Sequence, residues 1–364
     1  MMYEYQEKQG LLRAFMEAHQ IDALLLQRVS SFAWATLGAA SYVNSAAGFG
    51  EASLLITRDH NWLVTNVVEA PRLENEELLK ARSWEFEVLP WHKSNQRIAD
   101  LTKGLHLGTD CCFPGAIDLS GEVARLRANL SGLEIERMRN LCRLCADSVK
   151  STILQVRPGQ TEHEIAALLS AETTGRGVQP VVALVGTDER VFHYRHPLPT
   201  FKKLDKYAML VLCGRQYGLV ASITRFIHFG AIPPSLKSKA EALAKVDATF
   251  ITATQPGITM GEIFIKAIKA YEKAGFPDEW KLHHQGGLCG FEPREVAATP
   301  ETPDVVTAGQ VYAWNPSITG TKSEDTILIN KEGFDVLTET SDWPTIPVSM
   351  NGKTIKRPHI LEVT

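Results

Sequence analysis

No run of apolar residues in this chain approaches the roughly 18–20 that a bilayer-spanning helix requires, so a transmembrane protein is not expected. Charge of one sign is equally scarce. Lys and Arg number 38 against 42 Asp and Glu, a formal net charge of -4. That balance gives no electrostatic footprint for nucleic acid or an anionic membrane surface. Cysteine is sparse too: six in 364 residues do not make a secreted disulfide framework. The C-x-x-C formed by Cys142 and Cys145 has no second pair to complete a zinc site. Leu133, Ile135, Met138, Leu141, Cys142, Cys145 and Val149 recur at helical spacing. That spacing predicts both thiols on a buried helix face, where free cysteine behaves as a small hydrophobe. The opening residues, Met1 to Lys8, are polar and acidic, unlike a secretory leader, and the cytoplasm is the expected location.

What is present is an ordinary globular composition, 44% hydrophobic and 22% charged. A chain of this length can bury a core without disulfides or metal, and it suggests two domains. Leu11, Leu12, Phe15 and Met16 predict an amphipathic helix near residues 4–20. Strand-like runs follow at Ala23–Leu26, Ala52–Thr57 and Asn61–Thr65, the last two joined by a tight Arg58-Asp59-His60 turn. A loop of small residues runs from Gly38 to Gly50, and a helix near Glu69 and a strand near Phe86–Leu89 continue the alternation. Ser131 with Glu134 predicts a capping box at the start of a long helix and marks the domain boundary. The pattern P-G-x-T-x-x-E-I occurs twice, at Pro158–Ile165 and Pro256–Ile263. Each copy ends one helical pattern and caps the next, which predicts an internal duplication with a site between two related halves.

Three further segments carry chemistry. They read His283-His284-Gln285-Gly286-Gly287-Leu288-Cys289-Gly290, then Trp314-Asn315-Pro316, then Ser323-Glu324-Asp325-Thr326. With the repeated capping turns they resemble the HxxGHxxG, E-P and E-D-T segments of the creatinase/prolidase/methionine aminopeptidase superfamily. The resemblance covers about residues 130–340. Residues 1–125 resemble the N-terminal domain of creatinases, prolidases and aminopeptidase P. It implies an α+β architecture: a pita-bread domain of two pseudo-symmetric halves over 129–364, preceded by a smaller α/β domain over 1–128, in a homodimer.

The peptidase branch of that superfamily holds two divalent metals with two Asp, one His and two Glu. Two hard cations close together need carboxylates to neutralise and bridge them. Carried onto this sequence, the first Asp falls on Leu212 or Cys213, the second on Ser222, the His on Gly287 and one Glu on Asn315. Glu324 alone remains, so neither a metal nor another cofactor is expected. Other positions survive. His196 matches the acid/base of creatinase, which hydrolyses a C–N bond on this fold without metal, and His283 matches a substrate-contacting His. Arg294 and Arg225 are the further candidates for binding substrate. Cys213 and Cys289 are either nucleophiles or inert core residues, and Glu324 either orients charge in catalysis or only ion-pairs with Arg225 or Lys322.

The expected function is a metal-independent hydrolase, with catalytic His196 and Glu324, acting on a small amino- or guanidino-acid-like compound or a short peptide. The alternatives are an Xaa-Pro aminopeptidase or dipeptidase, and an inactive homologue that binds peptide or protein. Neither nucleic acid nor a membrane is expected as a partner.

Overall fold

The computed structural model describes residues 2–93, 96–350 and 352–364. The chain divides into two compact units, Met1–Arg127 with Tyr217–Leu219, and Ala128–Gln216 with Val220–Thr364.

The first unit runs α1 (Met2–Ala18), β1 (Ala23–Arg28), α2 (Val29–Ala35), β2 (Phe49–Thr57), β3 (Asn61–Asn66), α3 (Ala70–Asn75), β4 (Glu85–Leu89), α4 (Gln96–Leu101), β5 (Leu107–Thr109), β6 (Ile117–Asp118) and α5 (Ser120–Arg127). Its six strands form one mixed sheet in the order β4-β3-β2-β1-β5-β6. The turn at 58–60 closes as expected, Thr57 donating to the His60 carbonyl at 2.9 Å. Ala23, Leu25, Leu55, Val64 and Leu107 form a core on the sheet. The sequence reading left α2 unassigned. All seven of its residues are buried, so the segment shows no polar face and no helical period.

The second unit begins with α6 (Gly132–Ile153) and α7 (Glu162–Thr174), followed by β7 (Gln179–Thr187), α8 (Glu189–His193), β8 (Tyr207–Gln216) and β9 (Leu219–Phe229). Then come α9 (Pro234–Ala253), α10 (Met260–Lys273), β10 (Gly286–Cys289), β11 (Val296–Ala297), β12 (Val311–Trp314), β13 (Ser317–Ile318), β14 (Thr321–Lys322), β15 (Asp325–Asn330) and β16 (Gly333–Val336). The chain closes with β17 (Thr345–Met350), β18 (Lys353–Pro358) and β19 (Leu361–Val363). Strands β19-β9-β8-β7 form one sheet and β11-β10-β12-β15-β16 another, while β17 and β18 pair as a separate hairpin.

Capping boxes start α6 at Ser131 and Glu134, α7 at Thr161 and Glu164, and α10 at Thr259 and Glu262. The duplication extends well beyond those caps. Gly159 donates to the Leu204 carbonyl, Leu204 to Gln160, Glu162 to Lys202 and His163 to Thr200. In the other half Gly257 donates to Val306, Val306 to Ile258, Met260 to Asp304 and Gly261 to Thr302. Four matching backbone bonds at constant offsets define two related halves. Cys142 and Cys145 are fully buried on α6, whereas Leu133, grouped with them by spacing, is 41% exposed in the first turn.

Phe250, Phe264, Tyr312 and Trp314 lie in the core cluster that joins α9 and α10 to the second sheet. Phe250 stacks on Trp314 at 4.6 Å between ring centroids, and its burial contributes about 2 kcal/mol from area alone. A buried ionic network crosses this unit. Arg357 Nε donates to Asp247 Oδ2 at 2.7 Å and its Nη2 to Asp325 Oδ2 at 2.6 Å, while Arg225 Nη2 donates to Asp325 Oδ1 at 2.8 Å. It ties the terminal hairpin to α9, β9 and β15.

Candidate active site

The two sheets of the second unit meet at Thr224 in β9 and Glu324 just before β15. These residues form an antiparallel bridge, with the Thr224 N–H donating to the Glu324 carbonyl at 3.2 Å. The Ser222 N–H donates to Thr326 Oγ1 at 2.9 Å, and that hydroxyl donates back to the Ser222 carbonyl at 2.9 Å. Strand alternation decides which residue of β8 joins the seam. A Cβ on Gly214 would meet Cys145 Sγ at 2.5 Å, so Gly214 and Leu212 face α6. Cys213 points the other way, its Sγ 3.3 Å from Ser222 Oγ.

Glu324 is 2% exposed, and both of its carboxylate oxygens are engaged. Oε2 receives the Lys322 ammonium at 2.7 Å and the Thr224 hydroxyl at 2.7 Å. Oε1 receives Arg294 Nη2 at 3.1 Å. Burial alone would raise the carboxyl pKa, yet Lys322 and then Arg294 hold it at about 2. Glu324 is therefore a fixed counter-charge near neutral pH and carries no proton. Lys322 and Glu324 stand two residues apart on extended backbone, which brings them to one face.

The histidines come from two loops. Beside His196, Pro197 packs onto Gly186 of β7, where a Cβ would fall 2.6 Å from Pro197 Cγ. On its other side Arg195 donates to Glu279 Oε2 at 2.7 Å and to Thr319 Oγ1 at 3.0 Å. Glu279 opens the 3-10 turn Glu279–Leu282 that delivers His283. Gln285 pins that turn from behind. Its amide N–H groups donate to the Trp280 and His283 carbonyls at 3.2 and 2.6 Å, and its Oε1 accepts from the buried Tyr271 hydroxyl at 2.8 Å.

His196 Nε2 thereby lies 3.1 Å from His283 Nε2. The His284 ring lies 4.5 Å from that of His283 and 5.7 Å from that of His196. One of the paired Nε2 atoms carries the shared proton and the other accepts it. Desolvation, then Lys322, lowers the pKa of His196 and pushes that of His283 down to about 2. Desolvation, then Arg294, takes His284 to about 4. The imidazoles are thus predominantly neutral at pH 7.

The donors at the five inferred ligand positions do not fit a pair of divalent metals. Gly287 offers no side chain and its backbone forbids one: at φ +148° an added Cβ would sit 2.3 Å from the Val296 carbonyl oxygen. Burial raises the Cys213 thiol pKa. Ser222 and Asn315 supply neutral oxygens, which bind hard cations weakly, although Asn315 Oδ1 is buried without a partner. The remaining carboxylate, Glu324, is already neutralised by two side-chain cations. His196, His283 and His284 do bring ligand atoms within 4.8 Å of one another. They lie outside the five positions, and the positive charge of Lys322 and Arg294 bears on them.

His196, His283, Arg294 and Glu324 do converge on this cleft; Arg225 corrects the sequence reading. It is 2% exposed, and its guanidinium donates to Asp325, the Thr338 and Thr224 carbonyls and the Thr340 hydroxyl at 2.8–3.1 Å. It braces strands and has no donor left for substrate. Nor are the thiols activated, since burial raises Cys213 and pushes Cys289 up to about 12. Sequence reasoning treated Lys322 only as a possible ion-pair partner and passed over Thr224 and Arg195. The i, i+2 spacing of Lys322 and Glu324 was the available signal.

The profile of metallopeptidase family M24 matches residues 136–331. The Bacillus subtilis (strain 168) protein YkvY, named as a candidate dipeptidase, is 26% identical over 57% of this chain, and the match spans 59% of that relative's length. A solved prolidase from Pyrococcus horikoshii OT3 aligns at 22% identity and TM-score 0.79, covering 92% of this chain and 99% of its own. The Xaa-Pro dipeptidase from Bacillus anthracis aligns at 18% identity and TM-score 0.79, covering 99% and 100%. These likenesses establish the α+β pita-bread fold.

Proposed function

The chain belongs to metallopeptidase family M24, and we propose that it is a divergent member whose cleft hydrolyses a C–N bond without a dinuclear metal centre. The substrate in this reading is a small amino- or guanidino-acid-like compound. One observation carries the proposal: the retained carboxylate, Glu324, is saturated by Lys322 and Arg294 beside a neutral His196–His283 pair.

His196 takes a proton from water as that water forms a C–O bond with the substrate carbon. The proton then passes to the nitrogen as the C–N bond breaks. His283 orients His196 through the Nε2 contact. Lys322 gives one N–H to Glu324 and keeps two more for negative charge developing on the substrate. Arg294, whose Nε is buried and unpartnered, grips a substrate carboxylate. We assign residues 1–128 and 129–364 as separate domains of a cytoplasmic homodimer.

The solved prolidase and Xaa-Pro dipeptidase neighbours favour a second reading, in which the same groups act on a dipeptide amide. Chelator-treated protein incubated with N-methyl and guanidino amino acids and with Xaa-Pro dipeptides tests both, with His196→Ala as control. Turnover that survives chelation and disappears in the variant supports the proposal. Equal activity in the variant, or none on any compound, overturns it.

A further inference from the structure

A second concave feature lies away from the histidine cleft, in a groove of about 1040 Å³ between α9, α10 and the outer side of β17. Its charge runs against the rest of the molecule. Lys245, Lys266, Lys269 and Lys273 line it with a single acid, Glu241, in a chain whose formal net charge is -4. Among the described residues none of the four lysines takes part in an ion pair within 4.0 Å. Lys266, Lys269 and Lys273 follow one another at helical spacing along about 10 Å of α10. Val348 and Met350 of β17 and Ala253 of α9 also line the groove, Val348 and Ala253 packed into the core beneath. Among the described residues β17 is paired only with β18, so its second edge leaves backbone groups for an incoming strand, interrupted at Pro347.

We propose that this groove binds an extended acidic peptide segment. In an extended chain, alternate side chains point to opposite sides at about 6.6 Å intervals. Acidic residues at every second position meet the lysine row on the helices, while the intervening side chains lie on the opposite face of the added strand. Backbone pairing to the open edge fixes direction and register. Charge complementarity selects the occupant. Among the described lining residues there is no arginine or aromatic side chain of the kind that reads nucleic acid.

The test uses the full-length protein and a fluorescein-labelled pentapeptide alternating glutamate and valine, read by fluorescence anisotropy. Saturable binding is expected, weakening as salt rises from about 50 to 300 mM. The Lys266→Glu/Lys269→Glu/Lys273→Glu protein should bind at least about tenfold more weakly, and a lysine–valine peptide should not bind. If the triple variant is misfolded by circular dichroism, Lys269→Glu alone provides the comparison. Unchanged affinity in the folded variants, or no binding by the wild type, overturns the proposal. Tighter binding of a labelled oligonucleotide overturns it too, as does self-association that the lysine substitutions abolish.

Discussion

Replacing Lys322 with methionine should expose how the cleft is balanced. The ammonium lies 2.7 Å from Glu324 Oε2, and both side chains are almost fully buried. At an effective dielectric constant near 20 the pair attracts by about 6 kcal/mol. Removing the lysine also relieves its desolvation cost, and breaking a buried pair typically costs about 3–5 kcal/mol in net terms. Arg294 stays at 3.1 Å and Thr224 at 2.7 Å, which places Lys322→Met near the lower end, about 3 kcal/mol. The sign of the pH effect follows from Glu324. Its folded pKa, about 2 in the wild type, rises when the ammonium is lost. The variant's deficit is therefore largest above the unfolded carboxyl pKa and shrinks in acid as Glu324 protonates. Urea denaturation followed by tryptophan fluorescence measures it, and Glu324→Gln with the double variant completes a thermodynamic cycle. A coupling energy of about 2 kcal/mol is expected. A cost below about 1 kcal/mol with additive single variants would show an exposed, weakly coupled pair and refute the reasoning.

The backbone at Gly287 should reject any side chain: Gly287→Ala is expected to be strongly destabilised or insoluble. Gly290→Ala, whose Cβ would meet nothing closer than Glu295 Oε1 at 3.5 Å, should be tolerated; equal melting temperatures for the two variants would contradict this. His283 keeps a folded pKa of about 2 against 6.5 unfolded. Its contribution to stability is full above pH 6.5 and is lost as pH falls, by about 1.4 kcal/mol one unit lower. His283→Gln should remove that component from denaturation curves taken at pH 7.5 and 5.5. An identical pH dependence in the two proteins would show that His283 does not stay neutral.

Local chemistry was legible in the sequence because it acts over a few residues. The Ser131, Thr161 and Thr259 caps and the turn at 58–60 each depend on side chains within one turn of backbone. Burial of Cys142 and Cys145 followed from helical spacing. The approach of His196 to His283 was legible only through the family resemblance, since 87 residues separate them. Four features escaped for different physical reasons. α2 is buried on every side and so has no amphipathic period. Arg225 looks available in sequence, yet its partners Asp325, Thr338 and Thr340 come from a hundred or more residues away. The exclusion of a side chain at Gly287 depends on how closely Val296 approaches across the sheet. The hairpin of β17 and β18 lies past the stretch whose motifs drew attention, so the groove beside it had no sequence signal.

In the reading proposed for this cleft, Lys322 and Arg294 hold Glu324 and no metal pair binds beside it. The most direct measurement is metal content by mass spectrometry, after equilibrating chelator-stripped protein with Mn2+ or Co2+ and removing unbound ions. Well under one ion per chain is expected, unchanged by Glu324→Gln. Two ions per chain in the wild type, lost in that variant, would contradict it.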